Sequence, residues 1–302
     1  VEQILKQRVM EQKKRIPESE LIINPDGSIY HLQVKPHEIA DTIITVGDPH
    51  RVESVSRYFD TIQHKCEHRE FVTHTGFLNN KRISVISTGI GTDNIDIVFN
   101  ELDALVNIDF ATRTIKDELT QLNIIRVGTS GSVQEDLDVD TILISEAAIG
   151  MDGLLNFYSH ENTIQETVYL EAFKSHIRPY IKNASPYIAS AGQSLLQKFE
   201  GHYPKGTTIT ANGFYAPQGR ALRLNREFPG FIEHISAFRH KHFRITNLEM
   251  ETAGIYGLGG LLGHNCLSVN AILANRVKHK FSGNPTVIVT KMIEETLELI
   301  TR

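Results

Sequence analysis

From Thr42 onward the chain alternates apolar runs with amphipathic stretches. Runs of β-branched and apolar residues predict strands over 42–46, 70–77, 82–87, 123–127, 141–145, 206–212 and 266–273. Apolar positions at helical spacing predict helices over 49–58, 93–106, 187–199, 249–258 and 285–300. Such alternation predicts an α/β layered fold. Asn79-Asn80, between two alternating runs, marks a hairpin, so the sheet is expected to be mixed rather than wholly parallel. Before Thr42, residues 3–15 read as a helix with five Lys/Arg between positions 6 and 15, expected to be a solvated face or a contact with a neighbouring subunit. Asn24-Pro25-Asp26-Gly27, between Ile22-Ile23 and Ile29-Tyr30, predicts a turn closing a short hairpin. Residues 107–120 are polar and charged and read as an exposed excursion. No linker, low-complexity tract or internal repeat interrupts the pattern, so one continuous domain is expected.

Composition narrows the functional classes. A chain of 302 residues can bury about three quarters of its extended surface, enough for a full core without staples. Its net charge of −5 argues against a general nucleic-acid binder. Cys66 and Cys266 cannot build a disulfide framework and point to a reducing compartment. There is no apolar run of membrane-spanning length, and Glu2 to Arg15 is charged throughout, so neither a membrane span nor a signal peptide is expected. A cytoplasmic protein that handles something small is the expectation.

The chemistry gathers where strands are predicted to stop. Strand 42–46 ends in Gly47-Asp48-Pro49-His50-Arg51, in which Gly47 permits a sharp turn, Asp48 suits a helix N-cap and Pro49 the first helical position. The outward amides, the helix dipole and Arg51 suit an anion. Strand 82–87 ends in Ser87-Thr88-Gly89-Ile90-Gly91, but Asn94 stands where a dinucleotide fingerprint needs its third glycine. Strand 123–127 carries Arg126 and is expected to end in Gly128-Thr129-Ser130-Gly131. Any one such turn serves geometry more often than chemistry. Three together, two with an arginine and none with a Walker lysine, point to a small free anion, most simply inorganic phosphate.

Two further segments complete the chemistry. Glu249-Met250-Glu251-Thr252 is expected to open a helix, where acidic residues either satisfy the dipole or accept hydrogen bonds from a vicinal diol such as ribose. Phe214-Tyr215-Ala216-Pro217-Gln218-Gly219-Arg220 holds an aromatic ring, an amide and a guanidinium in one loop. Together these can grip a planar heterocycle and stabilise negative charge on it, although an ordinary surface loop reads equally well. His64, Cys66 and His68 alternate along one run, but no fourth ligand is evident for a structural metal site. His240 and His242, among Arg239, Lys241 and Arg244, read as a solvated edge.

GDPHR at 47–51, STGIG at 87–91, RVGTSG at 126–131, FYAPQGR at 214–220 and EMET at 249–252 together resemble the nucleoside phosphorylase-I family, and within it most the bacterial-type uridine phosphorylases. The resemblance covers roughly residues 28–300, leaving 1–27 as an N-terminal extension before a domain over 28–302. It implies a single α/β domain around a mixed, partly barrel-like sheet flanked by helices. It implies phosphate contacts from Gly47, Arg51, Arg126 and Thr129, with Arg69 reaching the site of a neighbouring subunit. It implies ribose contacts from Thr129, Glu249, Met250 and Glu251, and from His31 donated across the same interface. Phe214, Gln218 and Arg220 would hold uracil, with Arg126, Gln218, Arg220 and Glu251 carrying the catalysis.

The implied reaction converts uridine and phosphate to uracil and ribose 1-phosphate in a dimer-built hexamer, with no required cofactor or metal. A monovalent cation at a dimer interface also belongs to the implied set, although Asn94 and Ala274 depart from the family's typical residues. Purine-specific relatives place an acid near 266–273, where Ile272-Leu273-Ala274-Asn275-Arg276 has no carboxylate. A purine or broad-specificity phosphorylase, or a nucleosidase of the same fold, is therefore the alternative enzyme. A non-catalytic nucleoside-binding or storage protein is the alternative of another class.

Overall fold

The computed structural model describes residues 14–178 and 185–302. Residues 3–13 of the expected N-terminal helix lie outside these, and Lys14 and Arg15 are not helical. The strands and helices are, in order, β1 (Thr42–Val46), α1 (Pro49–Ser56), β2 (Thr61–His68), β3 (Phe71–Leu78), β4 (Lys81–Ser87), α2 (Thr92–Asn107), β5 (Ile108–Asp109), β6 (Thr114–Ile115), β7 (Asn123–Ser132) and β8 (Ile142–Gly150). There follow α3 (Ile164–Ile177), β9 (Tyr187–Ser190), α4 (Gln193–Lys198), β10 (Lys205–Thr210), α5 (Phe231–Ala237), β11 (Arg239–His240), β12 (Phe243–Glu249), α6 (Thr252–Leu261), β13 (Asn265–Asn275), β14 (Lys280–Phe281) and α7 (Pro285–Thr301).

The main sheet runs β11-β12-β10-β8-β13-β7-β1-β4-β3-β2, and β12 also pairs with β7. That extra pairing, Leu248 against Gly131 and Asn247 against Ser132, closes β7, β13, β8, β10 and β12 into a five-stranded ring. The sheet is mixed: β4, β1, β7 and β13 are parallel neighbours, while β2–β3 and β3–β4 are antiparallel. β1 is buried at every position, on both faces, which explains why its sequence, TIITV, does not alternate apolar with charged residues. One core cluster spans Leu21 to Ile300, and a second, from Val133 to Leu248, lies against α3 and α5. The Asn79-Asn80 hairpin forms with both residues at positive φ, 51° and 62°, as a two-residue β-turn requires. The Asn24–Gly27 turn closes a single bridge between Ile23 and Ile29.

Several expectations need correction. Residues 187–199 are a strand followed by a short helix, because Tyr187–Ser190 adds to the edge of β8. The helix expected from 249 starts at Thr252, and Glu249 is the last residue of β12. β7 does not stop at Val127, for β13 pairs with it from Asn123 to Ser132 and that ladder carries it through both glycines. β2 went unanticipated because it is a largely polar edge strand. In α3 the buried Tyr169, Leu170, Phe173 and Ile177 keep helical spacing, but exposed Ile164 and Val168 blur it. The 107–120 excursion folds as the small β5–β6 hairpin. It docks on the N-terminal segment through Arg113, whose guanidinium donates to the carbonyls of Ile16, Pro17 and Leu21.

Candidate active site

Three neighbouring parallel strands deliver the glycine-rich segments to one edge of the sheet. β1 aligns Val46 with Ser87 of β4 and Thr45 with Arg126 of β7. Beyond Val46, Asp48 caps α1 by accepting from the His50 amide at 2.9 Å. Gly89 and Gly91 sit at φ 71° and 99°, and Gly91 leads into α2. Against this edge lies a cavity of about 800 Å³. Its floor holds Gly47, Arg51, Arg126 and Thr129, its acidic wall Glu249, Met250 and Glu251, and its outer wall Phe214, Gln218 and Arg220.

Arg126 is buried and its donors are already engaged. One Nη reaches Glu251 Oε2 at 2.6 Å and stands 3.2 Å from Glu249, and the other donates to Asn270 at 2.8 Å. Burial disfavours this cation, but Glu249 and Glu251 outweigh that and hold it above its ordinary pKa. Burial likewise raises the Glu251 carboxyl, against the pull of Arg126. For Arg51, burial and then the nearby Arg126 push the guanidinium below its usual value. A dianion between these two guanidiniums would relieve their mutual repulsion.

Glu251 Oε1 also accepts the Gly91 amide at 2.9 Å, linking the β4 turn to the start of α6. Glu249 accepts from the Glu251 and Thr252 amides, each at 2.9 Å, and from the Thr210 hydroxyl at 2.6 Å. It thus caps α6 from outside the helix, which corrects its expected place in the first turn.

At the outer wall, Arg220 donates to Gln218 Oε1 at 2.8 Å and to the Phe214 carbonyl at 2.7 Å. Its guanidinium lies 3.8 Å over the Phe214 ring, so that aromatic face holds Arg220. Burial and the neighbouring Arg276 push Arg220 down to about 10, still charged at neutral pH.

A family model described as the phosphorylase superfamily matches residues 41–298. The chain belongs to the phosphorylase superfamily. It is 31% identical over 258 residues to a uridine phosphorylase of Thermococcus kodakarensis, covering 85% of this chain and 80% of that one. It is 28% identical to a DeoD-type purine nucleoside phosphorylase of Clostridium perfringens, over 89% of this chain and 97% of the relative. The crystal structure of a Trypanosoma brucei nucleoside phosphorylase that shows uridine phosphorylase activity superposes with a TM-score of 0.81 at 30% identity. That match covers 93% of this chain and 98% of the other.

Two residues expected at the site lie apart from this chain's own cavity. Arg69 is exposed in the β2–β3 turn at φ 56°, whereas the next residue, Glu70, lines the cavity. His31 sits nearby, since the His68 ring is 2.9 Å from the His31 carbonyl. The cavity lining carries three arginines (51, 126, 220) against four carboxylates (Asp48, Glu70, Glu249, Glu251). One chain therefore offers an anion a site with no cationic excess.

Arg276 stands outside the expected site residues. It donates to the carbonyls of Gln218 at 2.9 Å and Gly219 at 3.4 Å, bracing the loop from behind. Its only sequence signal was an arginine just past the end of β13. Leu273 and Ala274 of β13 line the cavity with no carboxylate between them. His64, Cys66 and His68 share a face of β2 that packs on residues 31–38: Cys66 Sγ lies 3.3 Å from the Gln33 carbonyl and His64 3.6 Å from Glu38. Arg239, Lys241 and His242 are exposed, as expected of a solvated edge, while His242 bonds Tyr169 at 2.9 Å and both His240 and His242 lie edge-on to that ring.

Gly128 has a specific role on this floor. A Cβ there would stand 1.9 Å from Arg126 Nη1 and 2.3 Å from its Cζ. Gly128→Ala is expected to fold with a lower melting point, because the struck guanidinium must shift against its ion pairs with Glu249 and Glu251. It should lower kcat/KM roughly tenfold or more, the scale of displaced charged hydrogen bonds, and raise the KM for phosphate. Steady-state kinetics with phosphate varied, beside a thermal melt, check this.

Proposed function

We propose that this phosphorylase-superfamily chain catalyses reversible phosphorolysis of uridine to uracil and ribose 1-phosphate. The observation that carries the reading is one cavity in which Arg51 and Arg126 form a floor and Gln218 with Arg220 form a wall. The identity to a uridine phosphorylase over most of both chains supports it. Phosphate is already a nucleophilic anion and needs no base. Arg51, Arg126, Thr129 and the Gly47 backbone would hold it below the anomeric carbon, where orientation supplies much of the rate. A phosphate oxygen bonds C1′ as the C1′–N1 bond breaks. The electron pair stays with uracil, and the proton of hydrogen phosphate ends on the ring. The anion below stabilises the oxocarbenium-like sugar.

Glu251, with Met250 and Glu249 beside it, would hold the ribose, since each Glu251 carboxylate oxygen accepts one hydrogen bond and keeps a lone pair for a sugar hydroxyl. Uracil offers an acceptor–donor–acceptor edge. Because Arg220 occupies Gln218 Oε1, the amide nitrogen is left to donate. Arg220 then meets the charge that develops on a uracil carbonyl, with Phe214 supporting it.

Arg69 and His31 are proposed to complete a second copy's site, Arg69 at phosphate and His31 at the ribose 5′-hydroxyl. The balance of three arginines against four carboxylates supports this, because one added arginine brings the lining to neutrality before the dianion enters. A homodimer-based hexamer with shared sites is the assembly proposed. Unpaired Cys66 and Cys266 support a reducing, cytoplasmic setting. Among the described residues no helix is long and apolar enough to cross a membrane. No step of the reaction is routed through a monovalent cation.

Ile272-Leu273-Ala274-Asn275-Arg276, with no carboxylate to protonate a purine, favours uridine over inosine and adenosine. The test is the absorbance change on mixing with uridine, thymidine, inosine or adenosine, with and without phosphate. Uridine with phosphate is expected to be fastest. Equal cleavage of uridine without phosphate would replace phosphorolysis with hydrolysis, and no turnover of any nucleoside would favour a binding protein.

A further inference from the structure

His31 is held by an unusually complete set of contacts from one side chain. Glu101, on α2, accepts from the His31 amide at 3.0 Å and the Leu32 amide at 2.9 Å, and its Oε1 lies 2.6 Å from His31 Nδ1. The imidazole also stands edge-on to Tyr30 at 4.7 Å and to fully buried Phe71 at 6.4 Å. The His31 carbonyl is tied to the His68 ring. Backbone, ring plane and one ring nitrogen are thereby fixed before any ligand binds. His31 Nε2 has no hydrogen-bond partner among the described residues, and the side chain is one-quarter exposed.

A carboxylate can only accept, so Nδ1 must carry the proton. The other nitrogen of the neutral ring is then a lone pair. We propose that Glu101 is a positioning residue that holds His31 as the Nδ1–H tautomer, so that its Nε2 accepts a hydrogen bond from the ribose 5′-hydroxyl in a second copy's cavity. The inference rests on the proposed function only in taking the ribose as the group that His31 meets. It adds the direction of the bond and the residue that sets it. Glu101 lies 70 residues from His31 in sequence, and α2 begins at the Gly91 turn whose amide binds Glu251. One helix therefore joins the sugar-binding wall of its own cavity to the histidine it presents outward.

Glu101→Gln tests this. The glutamine carbonyl still accepts from the two backbone amides, but its NH2 now faces Nδ1. The imidazole must then accept there and carry its proton on Nε2, which reverses the bond offered to the sugar. The measured quantity is kcat/KM for uridine divided by that for 5′-deoxyuridine, which lacks the hydroxyl. His31→Ala should lower this ratio roughly tenfold, the worth of one hydrogen bond. Glu101→Gln should lower it comparably and leave 5′-deoxyuridine turnover within about twofold, and the double variant should be no worse than His31→Ala. Glu101→Asp, which keeps an acceptor on a shorter arm, is measured in parallel and should retain more of the ratio than Glu101→Gln. An equal loss on both substrates in the Glu101 variants, with the ratio still sensitive to His31→Ala, would reduce Glu101 to a structural role and overturn the inference. A ratio unmoved by His31→Ala would instead remove His31 from the ribose and take the inference with it.

Discussion

Arg126→Met is expected to cost activity and stability together, because one guanidinium serves both. It neutralises two buried carboxylates, at 2.6 Å from Glu251 and 3.2 Å from Glu249, and it lines the cavity floor. Under the proposed function, losing it removes a fixed donor from beneath the reacting carbon, which should lower kcat/KM on the order of 10³-fold. It also strands two buried negative charges, a change worth about 3–5 kcal/mol. For a chain of this size that corresponds to a melting point lower by on the order of 10 °C. The pH dependence separates this cause from ordinary loss of packing. Burial already raises Glu251 in the native state, and removing Arg126 removes the main force that lowers it. An acid whose native pKa exceeds its unfolded value gives a folded state that binds more protons, so stability falls as pH rises. The deficit should be full above the raised native value and shrink as pH falls toward the ordinary 4.5. Melting curves from pH 8 to pH 5 check this: the gap from the native protein narrows if stranded charge is the cause and stays constant if packing is.

Arg220→Ala should act on the departing base with little effect on phosphate. Arg220 fixes the Gln218 amide and lies over Phe214, and it contacts none of Arg51, Arg126 or Thr129. Removing one electrostatic donor to the leaving group should lower kcat for uridine on the order of 10²-fold. The KM for phosphate should change by less than a few-fold. A nucleoside with a more acidic base, such as 5-fluorouridine, needs less help to expel it and should lose less activity. Steady-state kinetics on both nucleosides decide the matter. Equal losses on the two would mean that Arg220 holds the loop rather than stabilising charge.

The parts of the site that were legible in the sequence are those set by local chemistry. Gly47-Asp48-Pro49 spells a turn and a capped helix whatever surrounds it, and the structure has both. What escaped detection was set by distant partners. Gly128 and Gly131 look like a loop, yet β13 pairs alongside them and makes them strand. Gly128 is there because Arg126 folds back over it, a reason found in space rather than in sequence. Closure of the ring depends on Leu248 meeting Gly131, 117 residues away, and no window along the chain contains both. Glu249 was placed one element too late because its carboxylate caps α6 from the end of the preceding strand. Arg276 lacked a motif of its own, since it acts on two backbone carbonyls.

The most direct test of the account is the chemical identity of the sugar product. Uridine incubated with the protein in phosphate buffer and followed by phosphorus NMR should give one equivalent of a new phosphate monoester, ribose 1-phosphate, for each uracil released. Added ribose 1-phosphate and uracil should run the signal backward. Uracil released with free ribose and no new phosphorus resonance would contradict it.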